Sequence, residues 1–343
     1  MTVLQLGHHL KLRKVGAVSV DGSKIQANAS KHAAVSYARA GEMLAQLELE
    51  VKELNERALQ AENQETKDAL DLPAELTRRE DRKAALQQAR QIIEARAREL
   101  AAAQQPAFEA KQAERQAQRD TGKKPRGREP KPPSATPDPT AQYNFTDPQS
   151  SIMKAGSGAH FEQAYNAQAA VDAAMVIVGQ RVSVAPNDKR ELPATVATIS
   201  AVVASEIEAI LVDTGFYSEA AVQAVEQNAD GTATGVTVYA AVEKTHHHKT
   251  VADLLPQPEP TAPGLEANSK DKMAHRLKTK VGRELYKLRK QTVEPVFGII
   301  KEVMGFRRFS LRGRMKVSLE WTLVCVSYNL KRLFTLKNLA AAA

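Results

Sequence analysis

Apolar residues along this chain fall into two alternating patterns, short β-branched runs and long stripes spaced by three and four. Val15 to Val20 is a run of the first kind and ends at Asp21-Gly22, a turn signal. It predicts a strand with a carboxylate at its carboxyl end, continued across a bulge by Gly22-Ser23-Lys24-Ile25. Asn28 or Ser30 then caps a helix. From about Tyr37 to Glu65, Leu44, Leu47, Val51, Leu54, Ala58 and Ala61 form a heptad seam. After Asp71-Leu72-Pro73 a second helix runs to about Gln118 with Leu86, Ala89, Ile93, Ala97 and Leu100 in line, so the pair predicts an antiparallel hairpin.

The pattern stops between Thr121 and Ser150, where seven prolines (Pro125, Pro130, Pro132, Pro133, Pro137, Pro139, Pro148) mark an extended linker. It resumes with strands over Phe161–Asp172 and Met175–Val184 and a helix over Glu191–Ser205 capped by Asn187-Asp188. Ala209 to Val212 reads as a buried strand ending at Asp213; a helix from Tyr217-Ser218-Glu219 and a strand over Gly235–Val242 follow. Val293, Val296, Phe297, Ile300 and Met304 stripe one helix, which Pro295 starts or kinks. Val317 to Phe334 is very apolar and predicts a fully buried helix.

Charge narrows the class of partner. The 343 residues carry +8 overall, with a pI near 9.4, but from Lys270 onward there are 18 Lys and Arg against 5 acidic residues. Such local excess favours nucleic acid or another polyanion, a merely soluble basic surface being the plain alternative. The single cysteine, Cys325, lies in an apolar run and reads as a small buried hydrophobe. With no signal-peptide pattern and no apolar run long enough to span a bilayer, a reduced cytoplasmic protein with no membrane partner is expected.

Three acidic residues stand out against this pattern. Asp21 and Asp213 end core strands, and Glu294 sits at the helix position before Pro295 with Arg289, Lys290 and Lys301 around it. Gathered together they would form an all-oxygen site for hard divalent ions. Two ions about 4 Å apart in such a site activate a water or 3′-hydroxyl and stabilise the leaving oxygen of a phosphodiester. Taken singly, each aspartate reads as a turn or cap residue, and Glu294 as an ordinary member of a solvated charged face. His246, His247 and His248 are consecutive, point in different directions and read as a solvated loop.

Longer motifs carry a resemblance. Val20-Asp21-Gly22-Ser23-Lys24-Ile25, Asn144-Phe145-Thr146-Asp147-Pro148, Phe161 to Gln168, Val212 to Glu219 and Gln291 to Lys301 look like bacterial insertion-sequence transposases of the DDE class. The nearest group is the IS-four superfamily in its IS-eleven-eighty-two-like branch, from about Leu12 to Phe334. The resemblance implies an α/β, ribonuclease H-like catalytic core with a mixed sheet, interrupted by a long coiled-coil-like helical hairpin. Residues 1–35 would hold the first core strand, 36–120 the hairpin, 121–150 the basic proline-rich linker and 151–343 the rest of the core.

It further implies Asp21, Asp213 and Glu294 as catalytic carboxylates holding two Mg²⁺ or Mn²⁺ ions, with no small-molecule cofactor. Tyr286, Arg289, Glu294 and Lys301 resemble the superfamily's Tyr-Arg-Glu-Lys signature. The Arg-to-Glu gap is one residue longer than in the family unless Lys290 takes the basic part. Tyr286, Arg289, Lys290, Lys301, Arg307 and Arg308 are the expected DNA-binding residues. Double-stranded DNA, as transposon ends and target, and a second copy in a homodimer or larger complex are the implied partners, in a nucleoid-associated bacterial setting. Relatives carry an N-terminal helical domain before the first aspartate, so the chain is expected to be a truncated copy. The rival expectation is an inactive remnant acting as a DNA-binding or dimerising inhibitor.

Overall fold

The computed structural model describes residues 3–64, 71–122, 124–125, 127–154, 160–243, 258–264 and 266–342. His246, His247 and His248 lie outside them. The chain divides into two compact units, Met1–Ala29 with Gln149–Ala343, and Ser30–Pro148.

The first unit opens with α1 (Val3–His9) and β1 (Ala17–Gln26). The second unit follows. In it β2 (Ala34–Ser36) leads into α2 (Tyr37–Gln64), α3 (Leu72–Asp120) returns, and β3 (Gln142–Asn144) pairs antiparallel with β2. Asp71 caps α3 by accepting from the Ala74 amide at 3.1 Å, with Pro73 in the first turn where no backbone donor is needed. Leu44, Leu47, Leu86, Ala89 and Ile93 close one seam. Arg79 donates to Glu50 at 2.9 Å and Tyr37 to Glu94 at 2.8 Å, which sets the two helices antiparallel. The apolar line of α3 leaves this core before Leu100, which is exposed.

Back in the first unit, β4 (Ser151–Lys154), β5 (Phe161–Asp172) and β6 (Ile177–Ser183) are followed by short helices α4 (Leu192–Val196) and α5 (Ala201–Ala204). Then come β7 (Ala209–Val212), α6 (Glu219–Glu226), β8 (Thr237–Ala240), α7 (Ser269–Lys278), α8 (Lys280–Gly298), a π-helical turn over Ile299–Val303, and α9 (Arg314–Ala342). The α/β architecture rests on one mixed sheet in the order β4-β5-β1-β7-β8, with β6 also on β5. β5 runs antiparallel to β1, β4 and β6, whereas β1, β7 and β8 run parallel. Alternation along β1 and β5 gives the sheet two apolar faces. Ile25, Ala167, Ala169 and Val171 pack under Val293, Phe297 and Trp321 of α8 and α9. Val18, Val20, Ala170 and Ile210 pack under Leu192, Val203, Ala221 and Val225 of α4, α5 and α6.

Several local expectations change. β1 runs unbroken through Gly22 to Gln26, paired residue for residue with β5, so there is no bulge. The expected helix over Glu191–Ser205 is two short ones, because the Ser200 amide is drawn to the Val178 carbonyl at 2.9 Å and the Ser200 hydroxyl caps α5. Asp188 contributes only its backbone carbonyl to that turn, and Glu191 stands at the α4 cap position. Pro295 neither starts nor kinks a separate helix. α8 continues through it because Val293, Val296 and Phe297 stay buried on the sheet, and the widened turn comes after Gly298. Among the described residues α9 buries one face. Val317, Trp321, Cys325 and Tyr328 point inward while Met315, Leu319, Leu323 and Phe334 are exposed. No helix among the described residues is long and apolar enough to cross a membrane.

Candidate active site

Strand register aligns the two aspartates. β1 and β7 pair in parallel up to Ser19 and Leu211, and two residues further along each chain stand Asp21 and Asp213. The apolar run Ala209–Val212 needs burial and Asp213 does not, so the strand ends there and leaves the β1 edge open beside it. Backbone amides orient both carboxylates. Gly22 N–H donates to Asp21 Oδ1 at 2.8 Å, and Gly215 N–H donates to Asp213 Oδ1 at 2.8 Å.

α8 is fastened over this edge by two polar contacts. The buried Thr292 hydroxyl bonds the Ser19 hydroxyl at 2.8 Å, and the Tyr286 hydroxyl donates to the Val212 carbonyl at 3.1 Å. These anchors bring Arg289 into the middle of the acidic residues. Its Nη2 donates to Asp21 Oδ2 at 3.1 Å and lies 3.9 Å from Asp213 Oδ2, while Nη1 donates to Glu294 Oε1 at 2.9 Å. Asp21 and Asp213 therefore bring one oxygen each within the sum of two contacts, about 7 Å. Arg289 is only 7% exposed, and its Nε is buried without a hydrogen-bond partner among the described residues. Among the described residues no three carboxylate, imidazole or thiol groups stand close enough to share an ion directly. The guanidinium is the cation they share.

Burial pushes the Asp21 carboxyl up to about 7, against the pull of Arg289 and with help from Asp213. For Arg289 burial works toward a lower value but is outweighed by Asp21, Tyr286, Asp213 and Glu294, so its value rises. The Tyr286 phenol is held above its ordinary value by burial, with Asp213 and Asp21 adding to it.

The other expected DNA contacts scatter. Lys290, one residue from Arg289, is exposed on the outer side of α8. Lys301 lies in the π turn, where its Nζ donates to the Lys24 carbonyl at 3.2 Å; burial, then Arg307, holds its ammonium below the usual range. Arg307 pairs with Glu302, and Arg308 donates to Asn28 Oδ1 at 3.0 Å. Both arginines border a strand-like stretch in which Gln26 N–H donates to the Arg307 carbonyl at 3.2 Å and Phe309 N–H to the Gln26 carbonyl at 2.8 Å.

Sequence reasoning missed a second polar cluster on the opposite face of β1. Asp188 Oδ1 accepts from Asn166 Nδ2 and Gln168 Nε2, both at 2.7 Å, and Lys24 Nζ lies 3.6 Å from Asp188 Oδ2. These side chains fill the space above Gly22 where a Cβ would stand. Asp188 is also near enough to add to the upward shift of Asp21. The alternation Asn166-x-Gln168 facing Gly22-x-Lys24 was visible as a pattern, but its register was not.

Residues 262–334 match a family model described as a transposase DDE domain. That match supports a DDE transposase, an enzyme acting on DNA in transposition, and such enzymes generally use divalent metal ions. The matched stretch contains Tyr286, Arg289, Glu294, Lys301, Arg307 and Arg308, and lies downstream of Asp21 and Asp213. Comparison with curated proteins and with solved structures gave no match.

Proposed function

We propose that this chain carries the catalytic core of a DDE transposase with Asp21, Asp213 and Glu294 as its acidic triad. The observation that carries the reading is the single guanidinium that gathers these three side chains from β1, the end of β7 and α8. A ribonuclease H-like core is supported by the strand order β6-β5-β1-β7-β8, antiparallel through β1 and parallel beyond it. Assignment to the IS-four superfamily rests on the order Tyr286, Arg289, Glu294, Lys301 along one helix and its π turn.

The donor set suits hard divalent ions, since three carboxylates already converge on one cation and offer oxygen ligands alone. When bound, two Mg²⁺ or Mn²⁺ ions would supply activation of a water or 3′-hydroxyl and stabilisation of the leaving oxygen. Asp21 and Asp213 would hold them from the sheet and Glu294 from the helix. In the first step water attacks phosphorus, the bond to the 3′ oxygen breaks and a 3′-hydroxyl is released. In the second that hydroxyl attacks a target phosphodiester and displaces its 3′ oxygen. Lys290, Arg307 and Arg308 offer exposed cations to flanking phosphates, which positions DNA without reading its bases. Lys301 steadies the Lys24 backbone beside the cleft. A second copy of the chain would complete a complex on paired DNA ends.

The test is metal-dependent nicking of supercoiled plasmid by wild type and by Asp21→Asn, Asp213→Asn and Glu294→Gln. The reading requires nicking by wild type and its loss, by at least about 100-fold, in each folded variant. Equal nicking by Asp213→Asn and wild type would overturn it.

A further inference from the structure

Arg289 occupies an unusual position for a residue expected to hold a DNA phosphate. It is buried and directed inward, and both terminal nitrogens are engaged by carboxylates. Three carboxylates facing each other without a cation repel strongly in a partly dry site. One guanidinium offsets part of that repulsion and fixes their spacing with planar, forked donors. A divalent ion bound by the same oxygens stands about 2.0–2.6 Å from each, inside the volume the guanidinium fills. The two cations are therefore competitors for one set of ligands.

We propose that Arg289 is a positioning residue, a built-in counter-cation that keeps Asp21, Asp213 and Glu294 assembled and surrenders them when a divalent ion enters. This inference rests on the triad reading above. The exchange needs little backbone movement. α8 stays pinned by Thr292 on Ser19 and Tyr286 on Val212, so the change is one of side chains: Arg289 swings out and the carboxylates close on the ion. Among the described residues its Nε has no partner to give up. Glu294, 47% exposed on its side chain, is free to turn with the incoming ion, while backbone amides continue to hold Asp21 and Asp213.

Two readouts of opposite sign test the exchange on the full chain without DNA. Arg289→Gln is expected to lower the melting temperature in EDTA by several degrees. The same change is expected to tighten Mn²⁺ binding by about tenfold in calorimetry, because the resident competitor is gone. Arg289→Lys, which keeps the charge but cannot bridge, should fall between the two and stands in should Arg289→Gln not fold. A lower melting temperature with Mn²⁺ affinity unchanged or weakened would overturn the inference and leave Arg289 a fixed structural ion pair. Tightening that survives when Asp213→Asn is added would also overturn it, since the ion would then sit elsewhere. If plasmid nicking depends on Asp213 while Mn²⁺ affinity ignores Arg289, the counter-cation fails and the triad reading stands. If nicking ignores Asp213, the triad itself fails.

Discussion

Gly22 offers a sharp stability test because two glycines in this chain should respond to the same substitution with opposite signs. A Cβ on Gly22 would lie 2.2 Å from Gln168 Nε2, 2.7 Å from Asp188 Oδ1 and 2.8 Å from Asn166 Oδ1. All three belong to side chains that are held in place. Gln168 and Asn166 are fully buried, both are bonded to Asp188, and Gly22 and Gln168 are register partners in the β1–β5 ladder. Relief requires breaking at least one charge-assisted bond, worth about 1.5–3 kcal/mol, on top of about 1–3 kcal/mol for overpacking. Gly22→Ala should therefore cost about 3–5 kcal/mol, a large fraction of typical domain stability. Gly41 lies inside α2 with Arg90 Nη1 the one described atom nearby, at 3.7 Å, so Gly41→Ala should gain up to about 1 kcal/mol from helix propensity. The two glycines lie in different units, so each variant is read in urea by hydrogen exchange at its own amides, Gly22 through β1 and β5 and Gly41 through α2. A Gly22→Ala loss below about 1 kcal/mol, or losses of equal size at both sites, would refute the packing described above Gly22. Because Gly22 N–H also orients Asp21, the same variant should weaken divalent-ion binding even where it remains folded.

Other consequences follow from individual side chains. The Asp21 carboxyl has a native value of about 7 against an ordinary 3.8, so between those pH values the folded state holds more protons than the unfolded one. Its stabilising contribution is present below about pH 4 and is lost as pH rises through 7; the shift corresponds to about 4 kcal/mol, and 18% side-chain exposure brings the expectation to about 2–4. In EDTA, wild type should lose that much relative to Asp21→Asn between pH 4 and pH 8 in urea melts, and a constant gap would contradict it. On α9, Trp321 is fully buried, stacks on Phe297 at 6.1 Å and donates to the Gln168 carbonyl at 3.1 Å. Trp321→Ala should cost about 3–5 kcal/mol by chemical denaturation, whereas Leu323→Ala, at a 67% exposed position on the same helix, should stay within about 0.5. Leu86→Ala, at the buried seam of α2 and α3, should lose about 2–5 kcal/mol in the second unit, measured as hydrogen-exchange protection of those helices.

The parts legible in the sequence are those set by burial along one element. Leu44, Leu47, Val51 and Leu54 are spaced for one helix face and are buried together. Ala209 to Val212 has no polar residue to expose and runs as a buried strand that stops at Asp213. The stripe from Val293 to Ile300 foretold which side of α8 meets the sheet. What escaped depends on how elements meet. Arg289 is one cation among several between Lys287 and Lys301, and only the seating of Tyr286 and Thr292 on the sheet turns it toward Asp21 while Lys290 turns out. Asp188 follows an asparagine just before a helix and has the look of a cap, yet its carboxylate is taken by two amides from a neighbouring strand. α9 is apolar on both sides, and composition could not reveal that the described residues cover just one of them. The π turn at Ile299–Val303 left no mark in the hydrophobic spacing, although it decides where Lys301 reaches.

The central claim is that Asp21, Asp213 and Glu294 take divalent ions at the place Arg289 now holds. Anomalous diffraction from crystals of the full chain grown with Mn²⁺ measures this directly. Peaks are expected among the oxygens of those three residues, with the Arg289 guanidinium turned away from them. Mn²⁺ bound only elsewhere, with Arg289 still bridging Asp21 and Glu294, would contradict it.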